Sequence, residues 1–193
     1  MKPERILIVT TVLSLVFLVG ADAGETPRFG QPILITSAGQ SADILMAATL
    51  CKKLRLEAKS VSLAGESDLA GVKTLLVVAG FSSKGLGAAG ISREEEMERV
   101  KKLLTAARQK GVSILTMHLG GKARRGTQSD DFNRLASEFA QHLIVVQQGN
   151  EDAFFTDIAK ENVIPIDVVR KVIEAVPPLE KAFRKPPELR QDQ

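Results

Sequence analysis

Tryptophan and tyrosine are absent from the sequence, and eight phenylalanines supply all of its benzenoid rings. Proteins that hold single-stranded nucleic acid stack bases on such rings, so this scarcity argues against that class of partner. The formal net charge of +3 is a mild excess and not the dense basic face that a phosphate backbone requires. Cysteine occurs once, at Cys51, which excludes an intrachain disulfide. A chain of this length buries enough apolar surface to fold without one. Cys51 falls on the apolar face formed by Ile44, Ala47, Ala48 and Leu54, and reads as a small buried side chain. Only two histidines are present, His118 and His142, and they are well separated. With one apolar-face cysteine they make no metal-ligand cluster, so neither a metal nor a cofactor is implied. The acidic runs Glu94-Glu95-Glu96 and Asp130-Asp131 stand where helices begin and read as dipole-favoured caps.

The first residues carry a different message. Lys2 and Arg5 precede an uncharged, mostly apolar run from Ile6 to Gly20, and Ala21-Asp22-Ala23 follows. A basic start, an apolar run and a small-x-small exit describe a secretory leader, cut after Ala23. The run falls short of the roughly 20 apolar residues of a membrane span, so an uncleaved anchor is the lesser reading and the only membrane contact expected. No cysteine stands at the exit for lipid attachment, and no Arg-Arg pair precedes the run. The expected organisation is a leader over 1–23, a short lead over 24–31, one domain over 32–183 and a charged, proline-containing tail over 184–193 that reads as disordered. The expected location is extracytoplasmic, periplasmic or secreted.

Within the domain, contiguous apolar segments alternate with amphipathic ones. Strands are predicted over Pro32–Ser37, Ala58–Leu63, Lys73–Ala79, Val112–Leu119 and Leu143–Val146; contiguous apolar runs such as Ile33-Leu34-Ile35 suit a parallel sheet covered on both faces. Helices are predicted from Ser41 or Asp43 to about Leu54, and from the capping box Ser92-Arg93-Glu94-Glu95 to the C-terminal glycine Gly111. Others are expected from Ser129 or Asp130 through Phe139, after Asn150, and after Pro165 with Val169, Val172, Ile173 and Val176 on one face and Pro177-Pro178 as the stop. Gly80 to Gly90 reads as a glycine-rich loop. The alternation predicts a single doubly wound α/β domain with a mostly parallel five-stranded sheet, in the flavodoxin-like, Rossmann-like order 2-1-3-4-5.

In such folds ligands gather at the carboxyl edge of the sheet. The turns leaving that edge hold Ser37, Gly39, Gln40 and Ser41 after the first strand, and Ser82, Ser83, Lys84, Gly85 and Gly87 after the third. His118, Gly120, Arg124 and Arg125 follow the fourth, and Gly149 and Asn150 follow the fifth. Close backbone approach at glycine, unpaired amides at helix starts and the two-pronged arginine fork together suit a small polar or anionic molecule.

Three motif readings compete. Gly85-Leu86-Gly87-Ala88-Ala89-Gly90 spells G-x-G-x-x-G, but it begins too far past its strand, and no acid closes the next one, so a dinucleotide site is not supported. Lys84 precedes Gly85 rather than following the last glycine, which excludes a Walker loop. Gly80-Phe81-Ser82-Ser83-Lys84 lacks the final glycine of a nucleophile elbow. A serine-type hydrolase with Ser82 or Ser83 as nucleophile and His118 as base is the alternative to a binding domain; a module for structure or protein interaction is the third reading.

The stretch Pro32-Ile33-Leu34-Ile35-Thr36-Ser37-Ala38-Gly39-Gln40-Ser41, the stretch Ser82-Ser83-Lys84-Gly85-Leu86-Gly87-Ala88-Ala89-Gly90-Ile91, Met117-His118 with Ala123-Arg124-Arg125-Gly126, and Gly149-Asn150 ahead of Phe154-Phe155 resemble an uncharacterised family of exported bacterial domains. The resemblance spans nearly all of the chain after the leader. It implies a bacterial, extracytoplasmic protein and brings no known activity, cofactor or catalytic residue.

Overall fold

A computed structural model describes residues 29–184. The leader expected over 1–23, most of the lead that follows it, and the tail beyond Arg184 lie outside the described residues. Six parallel strands form the sheet: β1 (Ile33–Ala38), β2 (Ala58–Ser60), β3 (Thr74–Ala79), β4 (Ser113–His118), β5 (His142–Val146) and β6 (Ile166–Val169), in the order β2-β1-β3-β4-β5-β6. The helices are α1 (Ile44–Lys53), α2 (Ser83–Ala89), α3 (Arg93–Gln109), α4 (Thr127–Phe139), α5 (Phe154–Glu161) and α6 (Val176–Phe183).

The contiguous apolar strands are buried on both faces, as a doubly wound sheet demands. Alternate residues point to opposite sides. Leu34, Leu75, Val77, Ile114, Leu143 and Val145 pack under α3, α4 and α5, while Ile33, Ile35, Leu76, Val78, Leu115, Met117 and Ile144 pack under α1 and α6. Cys51 sits fully buried in the second layer, and burial pushes its thiol up to about 11, so it is an inert core side chain.

Four expectations fail. The sheet has six strands, not five, because Ile166–Val169 pairs in parallel with Leu143–Val146 instead of opening a helix. The proline pair Pro177-Pro178 then starts α6 rather than stopping a helix: at the first helical positions a missing amide costs nothing and the fixed φ is preorganised. The segment Gly80–Gly90 is not a loop, since Ser83–Ala89 is helical, with Ser82 accepting from the Gly85 amide at 3.1 Å as its cap. The second strand is also shorter than expected, ending at Ser60.

Caps follow the sequence at α3 and α5 but not at α1, where Asp43 makes no side-chain cap, nor at α4, which opens behind Gly126, two residues ahead of Ser129. Ser92 and Glu95 form their reciprocal box at the start of α3, and Asn150 Oδ1 accepts from the amides of Phe155 and Thr156 at the start of α5. The end of α5 is anomalous. Val163 carries the left-handed turn there, with φ 54° at 90% exposure, at a position helices usually give to glycine. A β-branched side chain is strained in that conformation and gains nothing from packing when exposed. Val163→Gly is expected to raise stability by about 1 kcal/mol in urea unfolding. A destabilised variant would show that the left-handed turn is not strained in solution.

Candidate functional site

The crevice between β1 and β3, where the strand order reverses, is the usual ligand position in this architecture. Here the protein fills it with its own backbone. Gln40 and Phe81 form an antiparallel bridge across the crevice, and the Ser82 amide donates to the Gly39 carbonyl at 2.8 Å. Gly39 adopts φ 99°, and a Cβ there would stand 2.7 Å from the Gly80 carbonyl oxygen, so only glycine fits. Gly85 is equally constrained by space: a Cβ would lie 1.9 Å from the Gln40 carbonyl oxygen, which places the first turn of α2 directly on the β1 turn.

Beneath this closure lies a buried polar cluster that the sequence does not announce. Glu96, in the first turn of α3, has no exposed surface. Its Oε1 accepts from the Gly39 amide at 2.9 Å and from Gln40 Nε2 at 3.0 Å. Arg99 grips the same carboxylate, Nε to Oε2 at 2.7 Å and NH2 to Oε1 at 2.8 Å, and donates onward to the carbonyls of Ser37 and Ala64. Ser37 and Ser41 are buried as well, and the Ser41 hydroxyl accepts from the Asp43 amide at 3.1 Å. The four residues expected to contact a ligand from the β1 turn are therefore packed inward. They hold α3 against the sheet edge. Glu96 is not a simple dipole-favoured acid like its neighbours.

His118 is turned inward too. It is fully buried, its Nδ1 3.2 Å from the Ala79 carbonyl oxygen and its Nε2 3.2 Å from that of Gly121, with the Phe155 ring centroid 4.6 Å away. Burial holds its pKa below the usual imidazole value, against the two carbonyls that favour the charged ring. A neutral ring donates to one carbonyl and is closed in by the other. Gly149 seals the remaining side, since a Cβ there would meet Nε2 at 2.3 Å. Ser82 meanwhile spends its hydroxyl as the cap of α2. Neither group has the exposure or the partner that a nucleophile and its base need, so the geometry does not favour the hydrolase alternative.

The two arginines differ. Arg125 is a clamp: Nε donates to Asp130 Oδ1 at 2.8 Å, NH2 donates to Asp152 Oδ2 at 2.8 Å, and NH1 donates to the Gly149 carbonyl. Its guanidinium lies 4.3 Å above the Phe154 ring centroid. The Arg125 fork holds the Asp152 carboxyl down at about 2. Asn150 donates to Thr156 Oγ1 at 2.7 Å while capping α5, so Gly149 and Asn150 shape the clamp instead of offering open donors. Arg124 is looser. Its Nε meets Asp43 Oδ2 at 3.2 Å and its side chain keeps 27% exposure. Gly120 admits this contact, because a Cβ would stand 2.3 Å from Asp43 Oδ2.

What remains open is a solvent-facing cleft of about 780 Å³, between the turn after β3 and the turn after β4. Phe81, Ser82, Ser83 and Lys84 line one wall; Arg124, Arg125 and the segment from Gly126 to Ser129 line the other. Gly126, at φ 104°, supplies the left-handed turn that aims the start of α4 into it. The amides of Thr127 and Gln128, in the first turn of α4, have no intrahelical acceptor by construction. No lining residue is acidic, and among the described residues Lys84 has no carboxylate partner. The sequence-predicted set thus divides. Ser82, Ser83, Lys84, Arg124 and Arg125 converge on one cleft, Gly85 and Gly87 lie on α2 just behind it, and the β1 and β5 turns do not contribute. Thr127, Gln128 and Ser129 were missed, although their position opening a helix after a basic turn was the available signal.

Comparison with solved structures finds partial likenesses. A GDSL-like lipase from Bacteroides thetaiotaomicron is 7% identical over 70% of this chain, with a TM-score of 0.32, and the chain spans 66% of that lipase, just under two thirds of its length. A flavodoxin from Pseudomonas aeruginosa is 18% identical over 77% of this chain and 94% of its own, with a TM-score of 0.37. A putative acylhydrolase from Bacteroides fragilis is 9% identical over 75% of this chain and 71% of its own, with a TM-score of 0.35. A search of curated proteins finds no match. A family profile does match, from residue 30 to residue 183, and the chain accordingly belongs to the family described as Domain of unknown function (DUF6305).

Proposed function

We propose that this protein is an extracytoplasmic binding domain that holds a small anion, a carboxylate or a phosphate, in the cleft between the starts of α2 and α4. The observation that carries the reading is the lining: Lys84, Arg124 and Arg125, the exposed Ser83 hydroxyl and the amides of the α4 start border one opening with no acid among its lining residues. Arg124 is paired with Asp43, and Arg125 with both Asp130 and Asp152, so Lys84 supplies the least compensated charge. Ser83 and Lys84 are exposed and positioned to close over a ligand seated on the α4 amides. A charged hydrogen bond of this kind contributes about 1.5–3 kcal/mol. Titration calorimetry with inorganic phosphate and a series of di- and tricarboxylates should find one binding member, and Lys84→Glu should weaken it at least ~10-fold. No binding by either class, or unchanged affinity in Lys84→Glu, would remove the proposal.

A further inference from the structure

The two edges of the sheet are finished differently. At one, β2 is three residues long and carries Lys59 between Ala58 and Ser60, the kind of charged, short edge that resists pairing. At the other, β6 reads Ile-Asp-Val-Val, with Val168 45% exposed. Exposed apolar residues also stand just before and after the strand, Val163 at 90% and Ile173 at 54%.

The backbone register says which groups are unpaired. The Leu143 amide donates to the Pro165 carbonyl, and Leu143 stands opposite Ile166. In a parallel pair that arrangement turns Pro165, Asp167 and Val169 toward β5. The amides and carbonyls of Ile166 and Val168 therefore point away from the sheet, where no described strand meets them.

The side chains say what suits this edge. Asp167 stands near its start and Arg170 and Lys171 follow its end. A strand that is acidic at one end and basic at the other is its own antiparallel complement. A second copy laid across it by a two-fold axis centred on Val168 sets Asp167 of each chain diagonal to Lys171 of the other on one face, while Arg170 stays with Glu174 of its own chain; a parallel copy would set like charges side by side. Only Asp167 Oδ2 is engaged, by His142 Nε2 at 2.8 Å, and its side chain is 44% exposed.

We propose that the chain forms a two-fold dimer by antiparallel pairing of β6 with its own copy, centred on Val168. The paired sheet then runs through both subunits, in an isologous arrangement that uses both β6 edges and leaves only the short, charged β2 strands at its two ends. The proposal is independent of the anion cleft, which opens at the carboxyl ends of β3 and β4.

The centre of the axis gives a direct test. In that register Val168 faces its own copy as a hydrogen-bonded pair, with Cα atoms about 5.5 Å apart, inside the range a disulfide spans. Oxidation of the Val168→Cys variant is expected to give a covalent dimer, while the native chain, whose one cysteine is buried, stays uncross-linked. Sedimentation of the purified protein from micromolar to millimolar concentration should show a monomer–dimer equilibrium. Val168→Lys, which opposes two like charges at the axis, should leave only monomer, with thermal melting of the monomer unchanged because the site is exposed. Lys171→Glu should weaken the dimer by placing acid against acid. A native chain that stays monomeric throughout, or a dimer that survives Val168→Lys, would overturn the proposal.

Discussion

Glu96→Ala is expected to lower stability by roughly 3–5 kcal/mol, the cost of removing one member of a buried ion pair. The reason lies in what the substitution strands. Arg99 loses its two-pronged partner while its side chain is only 16% exposed, and the Gly39 amide and Gln40 Nε2 lose their shared acceptor inside the protein. At about 2–4 °C per kcal/mol for a domain of this size, the melting temperature should fall by roughly 6–20 °C. Glu96→Gln keeps an acceptor for the amide and should cost less. Glu98→Ala, which removes the exposed partner of Lys102 on the same helix, should change stability by less than about 0.5 kcal/mol. A Glu96→Ala protein melting within 2 °C of the native one (an order-of-magnitude criterion set by the same scaling) would mean that the cluster is not an anchor. Because this cluster also pins the Gly39–Gln40 turn on which α2 rests, the same variant should loosen the Ser82–Lys84 wall of the cleft.

The sequence reading found the sheet where strands are buried on both faces, because four contiguous apolar runs have no other satisfactory use. It failed where periodicity is ambiguous. Val169, Val172, Ile173 and Val176 fit a helical spacing, yet the first of them ends a four-residue strand and the next two lie in a tight 3-10 turn, Val172–Ala175. Gly85, Gly87 and Gly90 suggested a loop, but Gly85 lies in a helix and is glycine because a side chain there would strike the Gln40 backbone, a tertiary fact invisible in local composition. Glu96 was misread for a similar reason. Acids in a first turn are ordinarily exposed. The available signal was spacing: Glu96 shares the stripe of Val100, Leu103, Leu104 and Ala107, all buried.

The same limit explains the candidate site. Polar residues at the carboxyl edge were correctly located along the chain, but sequence cannot tell an outward serine from one folded into the edge. Ser37 and Ser41 became internal donors and acceptors, and Ser83 stayed exposed. The difference is set by the Gln40–Phe81 bridge, which closes the switch-point crevice and moves the opening one strand over. Arginine was subject to the same ambiguity. Arg125, with three kinds of partner, fixes the turn after β4 against α5, and this rigid clamp is what positions Arg124 and the start of α4 around the cleft.

Stability should fall as the pH drops below about 6.5, well before any carboxylate is lost. Burial is the first cause that holds both His118 and His142 below the ordinary imidazole value; for His142 the neighbouring Asp167 opposes it without reversing it. In the unfolded chain both rings take up a proton near pH 6.5. In the folded chain they resist it. Protons then bind the unfolded state preferentially, so unfolding becomes easier as pH falls from 6.5 toward the depressed folded values, with a slope of up to about 2.7 kcal/mol per pH unit for two rings. Above pH 7.5 neither ring contributes a slope. Asp152 has the opposite sign and a different window: its contribution is present above its unfolded value near 3.8 and is lost only as pH approaches about 2. It does not interfere between pH 5 and 7. Urea unfolding at pH 7.5, 6.5 and 5.5 measures the effect, and His142→Gln should remove about half of the slope while keeping a side chain that can bond Asp167. Equal stability at pH 7.5 and 5.5 would show that the rings protonate in place, and the closed seat described for His118 would be wrong.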